Sequence, residues 1–212
     1  MATLAQLYTR IILDTNRDDM GAGGELEQAK IDAVADAIEL HADEAFWFNR
    51  ASGTMSTVAG TAIVALPAGM RIARLVTWLG APLRKVPLAA IESIVDAAAP
   101  AAGPPARWAE EDGAIHLWPV PDAAYPLAVY GIAELGVPAS SNGWTEEGFR
   151  LILGEAKKIL CRGPLRDADG LALANDEARE ALTKLRRESR RRGASPPASE
   201  PAAPAGFDIR AG

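Results

Sequence analysis

A chain of 212 residues with a formal net charge of −6 is long enough for one domain with an appendage or for two small domains. Its residues are 49% hydrophobic, but much of that is alanine and only 6% is aromatic, so the expected core is modest and of the kind that neighbouring subunits complete. The acidic balance argues against a general DNA binder, the single Cys161 excludes an intrachain disulfide, and no charge-free apolar run of about 18 residues suggests a membrane span.

The N-terminus lacks the charged-then-apolar pattern of a secretion signal. Instead, a helix is predicted over about 3–18. Thr3 and Gln6 are spaced as a capping box, and Leu4, Leu7, Tyr8, Ile11 and Ile12 recur on one face. The Gly21–Gly24 loop ends this element, and a second helix is expected over about 25–45, antiparallel to the first. At Phe46-Trp47-Phe48 the apolar period shortens towards two, and 46–135 reads as a β insertion. Thr54–Leu66 and Ile72–Leu79 carry strand residues, with turns at Leu66–Gly69 and Gly80–Pro82. Pro87–Ala97 is expected as a short helix, and Ala97–Pro105 as a loop that contributes nothing to the core. Ala114–Pro119 and Tyr125–Leu135 are expected to pair as a hairpin about the turn Pro119–Ala123. Thr145 is the expected cap of a helix over about 144–162, which ends at Gly163-Pro164, and a last helix is expected over about 168–192.

These elements predict an α+β, mainly helical fold. Two N-terminal and two C-terminal helices form a four-helix bundle, a small antiparallel β region is inserted between them, and residues 193–212 form an extended tail. In that tail, Ser195–Ala205 is a polar, proline-rich tether that cannot bury enough to fold alone, and Phe207, Ile209 and Arg210 at its end have the make-up of an anchor.

Catalytic chemistry is hard to assemble from these residues. The two histidines, His41 and His116, read as surface or interface residues, and with Cys161 they do not make a zinc set. Cys161 sits beside Leu160 as an inert buried thiol, and the glycine loop joins helices rather than cradling a phosphate. No enzyme activity, cofactor or metal is expected. The stretch 184–192 holds six cations against Glu188 and so carries +5, which leaves −11 on the rest of the chain. Two readings of it stand open. It is a solvated helix end whose cations complement the macrodipole, or Arg186, Arg187, Arg190 and Arg191 form a contact for an acidic partner or for DNA. The second reading carries an alternative function, a nucleic-acid-binding packaging or regulatory accessory protein. Trp47, Trp78, Trp108, Trp118 and Trp144 are core residues or interface residues.

The segment Asp112-Gly113-Ala114-Ile115-His116-Leu117-Trp118-Pro119-Val120-Pro121-Asp122-Ala123-Ala124-Tyr125 resembles a signature of the phage head-tail adaptor (connector) family. Leu66–Ile72 and Gly80–Pro87 are similar to the same family, as is the order of two helices, β insertion, two helices and tail over residues 1–192. The resemblance implies a non-enzymatic virion protein, made in the host cytoplasm and placed in the neck between portal and tail. It implies a ring of identical copies, typically a dodecamer, that extends the DNA channel, touches packaged DNA in transit and offers a platform to a stopper or tail-completion protein. It also implies that the C-terminal segment, with Phe207, Ile209 and Arg210, reaches the portal protein. Trp118, Tyr125 and His116 are then candidates for subunit or neck contacts, and no membrane is involved.

Overall fold

A computed structural model describes residues 2–97 and 101–193. Helix α1 (Leu4–Thr15) starts at the capping box read from the sequence: Thr3 Oγ1 accepts from the Gln6 N–H at 3.3 Å, and Gln6 Oε1 accepts from the Thr3 N–H at 2.9 Å. It stops at Asn16, which adopts a left-handed conformation. Helix α2 (Glu27–His41) is shorter than expected at both ends. After it, the Asn49 side chain accepts from the Phe46 N–H and donates to the Glu44 carbonyl, folding the aromatic run into a tight turn.

The helix expected over 144–162 is two helices, α4 (Gly143–Glu146) and α5 (Phe149–Arg162), parted at Gly148. Its cap is Asn142 rather than Thr145. Asn142 Oδ1 accepts from the N–H groups of Trp144 and Thr145, while Thr145 sits at the third helical position and its Oγ1 accepts from the Asn142 N–H. A fourth long helix runs over Ala168–Gly193 and is named α6 below, because a short helix precedes it within the β region. Helix α5 is central, and α1, α2 and α6 all pack on it. Leu7, Ile11, Val34, Ile38, Leu151 and Leu160 bury their side chains there, closed at one end by Phe46 and Trp144, whose rings meet edge to face.

Between α2 and α4 lie β1 (Arg50–Ser56), β2 (Ile63–Ala65), β3 (Met70–Trp78), β4 (Ala81–Pro82), β5 (Arg84–Lys85), α3 (Leu88–Ala97), β6 (Arg107–Glu111), β7 (Ala114–Trp118) and β8 (Pro126–Ala133). They form two four-stranded sheets, in the orders β1-β8-β3-β4 and β2-β7-β6-β5, with β5 and β6 parallel and the other pairs antiparallel. The sheets face each other across a second core of Val76, Trp108, Ile115, Leu117, Leu127 and Val129. Helix α3 covers the outside of the second sheet, where Ile91 meets Ala109 and Trp118.

The expectation of a mainly helical four-helix bundle with a small antiparallel insertion is therefore wrong. The fold is α+β with substantial sheet, and the described residues form six α-helices beside two four-stranded sheets. The hairpin expected about Pro119–Ala123 does not form either. Strand β7 pairs with β2 and β6, β8 pairs with β1 and β3, and the proline turn arches from one sheet to the other. Ile115 and Leu117 face Leu127 and Val129 across the sandwich, so both alternating patterns point at one core without their strands touching edge to edge. The hairpin that does form joins β6 to β7 about Asp112-Gly113, both at positive φ. The alanine-proline loop also contributes to the interior: Gly103 and Pro105 are buried, and Ala102 bridges to Val120.

Candidate functional site

Of the residues singled out from the sequence, Phe207, Ile209 and Arg210 lie outside the described residues. The other candidates fall at three separate places: the end of α6, the join between α2 and α5, and the outer parts of the sandwich.

The basic end of α6 is not a uniform face. Arg186 grips Glu44 with two hydrogen bonds, Nε to Oε1 at 2.6 Å and Nη2 to Oε2 at 3.0 Å, across 142 residues of sequence. Arg191 and Arg192 both bind Glu188, and Arg192 also stacks over the Trp47 ring at 4.4 Å. These two arginines hold the Glu188 carboxyl down to about 2. Arg187 and Arg190 are exposed. Two of the four arginines expected to share one contact surface are thus engaged by carboxylates of the chain itself. Arg50, at the start of β1, joins this end of α6 and lies against Gly193. No local pattern marks Arg50, since the helix it meets begins far downstream.

His41 is buried within the chain, where the sequence led to a surface or interface residue. It is 8% exposed, with Nε2 at 3.6 Å from Glu155 on α5 and Nδ1 at 4.0 Å from Glu44. Glu155 is buried too and pairs with Lys158. Burial pushes the His41 imidazole below its ordinary value, against the opposing pull of Glu155 and Glu44 and with help from Lys158. The unfolded chain therefore takes up a proton at higher pH than the folded chain does. Stability is complete above the ordinary histidine range and falls as pH drops through it. Thermal melting should show a midpoint that falls as pH is lowered from about 7 towards 5, and His41→Leu should flatten that dependence. An unaltered pH profile in the variant would exclude His41 as its source.

Lys157, 6% exposed on α5, is held between Asp14 of α1 at 3.1 Å and Glu177 of α6 at 2.5 Å, so one cation ties three helices. Burial and the nearby Asp167 carboxylate both push the Cys161 thiol up, which keeps it protonated, the opposite of an activated nucleophile. Among the described residues, no group of three or more His, Cys, Asp or Glu side chains is placed to hold a metal ion.

Trp118, Tyr125 and His116 do not form one patch. Trp118 is 8% exposed and packs beneath α3. Tyr125 is half-buried, stacks edge-on against Trp78 and donates its hydroxyl to Asp122 Oδ1 at 2.5 Å. His116 lines a shallow groove with Ile63, Glu92 and Val95 between β2 and α3. A further exposed stretch lies on the outer face of the first sheet. Paired residues of an antiparallel sheet share a face, and the sets Ser52, Tyr130, Leu75 and Thr54, Ala128, Thr77 run across its three long strands without a charge. Tyr130 and Leu75 stay 46% and 40% exposed there. No helix of the described residues is long and apolar enough to cross a membrane.

Compared with known families, the chain matches a model described as SU10 adaptor protein over residues 2–201, a span that takes in every helix and strand described above. No curated protein matches it.

Proposed function

The chain belongs to the SU10 adaptor protein family, phage head-tail adaptors that are structural components of the virion, and on that premise we propose that it assembles as a ring of identical copies beneath the portal. The ring extends the DNA channel and gives the next neck or tail protein its platform, with a dodecamer as the count. It performs no catalysis.

The charge-free stretch of the first sheet's outer face, next to Arg50, is the observation that supports self-assembly best. Copies that each carry a formal charge of −6 repel one another, and a face of Ser52, Thr54, Leu75, Ala128 and Tyr130 lets them meet where no like charges are brought together. A ring also needs a heterologous contact, in which this face meets a different surface of the neighbour. The C-terminal segment anchors the ring to the portal through Phe207, Ile209 and Arg210, and a stopper or tail-completion protein docks on the opposite side.

Mixing with portal protein tests both parts. Native mass spectrometry of the full chain with portal should show a closed oligomer of identical copies bound to the portal ring, whereas single copies scattered on the portal would overturn the ring. A chain ending at Gly193 should lose docking to portal-bearing heads. Undiminished docking of that truncated chain would remove the anchoring role of the tail.

A further inference from the structure

Three arginines converge on one cleft at the end of α6, and they come from both halves of the molecule. Arg186 and Arg190 belong to α6 and Arg50 to β1, and together with Glu44, Ser189 and Gly193 they line a cleft of about 500 Å³. A Cβ on Gly193 would come within 2.6 Å of Arg50 Nη2, so the Arg50 cation stands at the helix end towards which the carbonyls point. The one carboxylate in the cleft, Glu44, has both oxygens taken by Arg186. Two cations, Arg50 and Arg190, therefore remain beyond that pair. The fourth feature is Ser189. It is 7% exposed, and its Oγ is buried without a hydrogen-bond partner among the described residues. A buried hydroxyl of this kind is a donor waiting for an acceptor.

We propose that this cleft binds a phosphate group of a DNA backbone. The guanidinium forks of Arg50 and Arg190 suit the oxygens of a phosphodiester, and the Ser189 hydroxyl donates to one of them. The cleft opens to solvent, and Arg187 stands exposed on the same helix, one turn before Arg190. An occupant with charges in a row meets the cleft and Arg187 together, as a duplex strand with one phosphate about every 3.4 Å of helix axis does. A lone carboxylate of a protein partner fills the cleft but leaves Arg187 unmatched. The site is narrower than a basic helix face: Arg191 and Arg192 are turned to Glu188, and Arg50 and Ser189 take their place. The proposal does not depend on ring formation and is tested on the full chain by itself.

The test is anisotropy of a short labelled duplex titrated with the chain at several salt concentrations. Replacing Arg50 and Arg190 together by alanine should weaken binding about tenfold or more and lower the slope of log affinity against log salt by about one. Arg190→Ala by itself, at an exposed position, gives the same direction if the double variant melts early. Ser189→Ala leaves the charge unaltered and should still weaken binding about threefold, a loss that diffuse attraction does not produce. Inorganic phosphate should compete with the duplex. The control removes two exposed arginines elsewhere, Arg162→Ala with Arg166→Ala, and should keep the slope. Equal losses in the cleft and control variants would overturn the proposal, as would no binding of duplex at low salt. Binding of a polyglutamate peptide in place of duplex would overturn it too and assign the cleft to an acidic protein partner.

Discussion

Gly131→Ala is expected to cost about 3 kcal/mol or more, enough to leave little of the sandwich folded at moderate urea. Gly131 lies in β8, the strand between β1 and β3, opposite Ala51 on one side and Ala73 on the other. Strand β3 is irregular here: its register slips between Met70 and Ile72 and again between Ala73 and Leu75. The slips bring the Ile72 carbonyl over Gly131, where a Cβ would stand 1.9 Å from the oxygen and 3.1 Å from the Ala73 Cα. Both neighbours are backbone, so no rotamer change relieves the contact. The displaced backbone of Ala73 is in turn fixed from the second sheet. Its N–H donates to Glu110 Oε1 at 2.9 Å, and its carbonyl accepts from Lys85 Nζ at 3.0 Å. A shift of β3 that makes room for a methyl group breaks both bonds. Urea unfolding followed by circular dichroism gives the cost directly. Gly136→Ala, where a Cβ meets nothing within 4 Å, should stay within about 0.5 kcal/mol of the parent chain. A Gly131→Ala chain as stable as Gly136→Ala would mean that β3 has room to move.

The slipped register also shows where sequence reading stops. Local chemistry was legible: the Thr3/Gln6 box, the Pro87–Ala97 helix, and the last helix, whose span agrees with α6 to within a residue. Alternation correctly marked Ile115, Leu117, Leu127 and Val129 as inward-facing. It could not say which strand each one lies beside, because a period of two sets a face and leaves the partner open. Hence an arch between sheets was read as a hairpin, while the Asp112-Gly113 turn, a stronger hairpin signal, closed the real one. Strands as short as Ala81–Pro82 at the edge of the first sheet and Arg84–Lys85 at the edge of the second carry no period at all, so the crossing between the sheets was invisible. The cleft at the end of α6 was half legible. Charge density marked the arginines, but the pairing of Arg186 with Glu44 and the arrival of Arg50 depend on contacts more than a hundred residues apart.

Trp108→Ala should cost about 3–5 kcal/mol, because this side chain fills the corner where the chain crosses from one sheet to the other. Trp108 is fully buried on β6. Its Nε1 donates to the Leu83 carbonyl at 3.2 Å, and Lys85 Nζ sits 4.5 Å from the ring centroid. Leu83 is the crossing residue, between β4 of the first sheet and β5 of the second, and its own N–H donates to the Val76 carbonyl at 2.8 Å. The indole thus holds Leu83 from the second sheet while Val76 holds it from the first. Alanine leaves a cavity between the sheets, an unpaired carbonyl and a lysine without its aromatic face. Trp108→Phe separates these losses. It keeps most of the volume but removes the donor to Leu83, so about 1–3 kcal/mol should go. Trp118 supplies the comparison within the same hairpin: it packs outside the sandwich beneath α3, and among the described residues no indole hydrogen bond from it joins the sheets. Trp118→Ala should therefore loosen α3 and leave the two sheets together. If urea unfolding ranked Trp118→Ala as the costlier of the two, the sandwich would owe its closure to α3 rather than to Trp108.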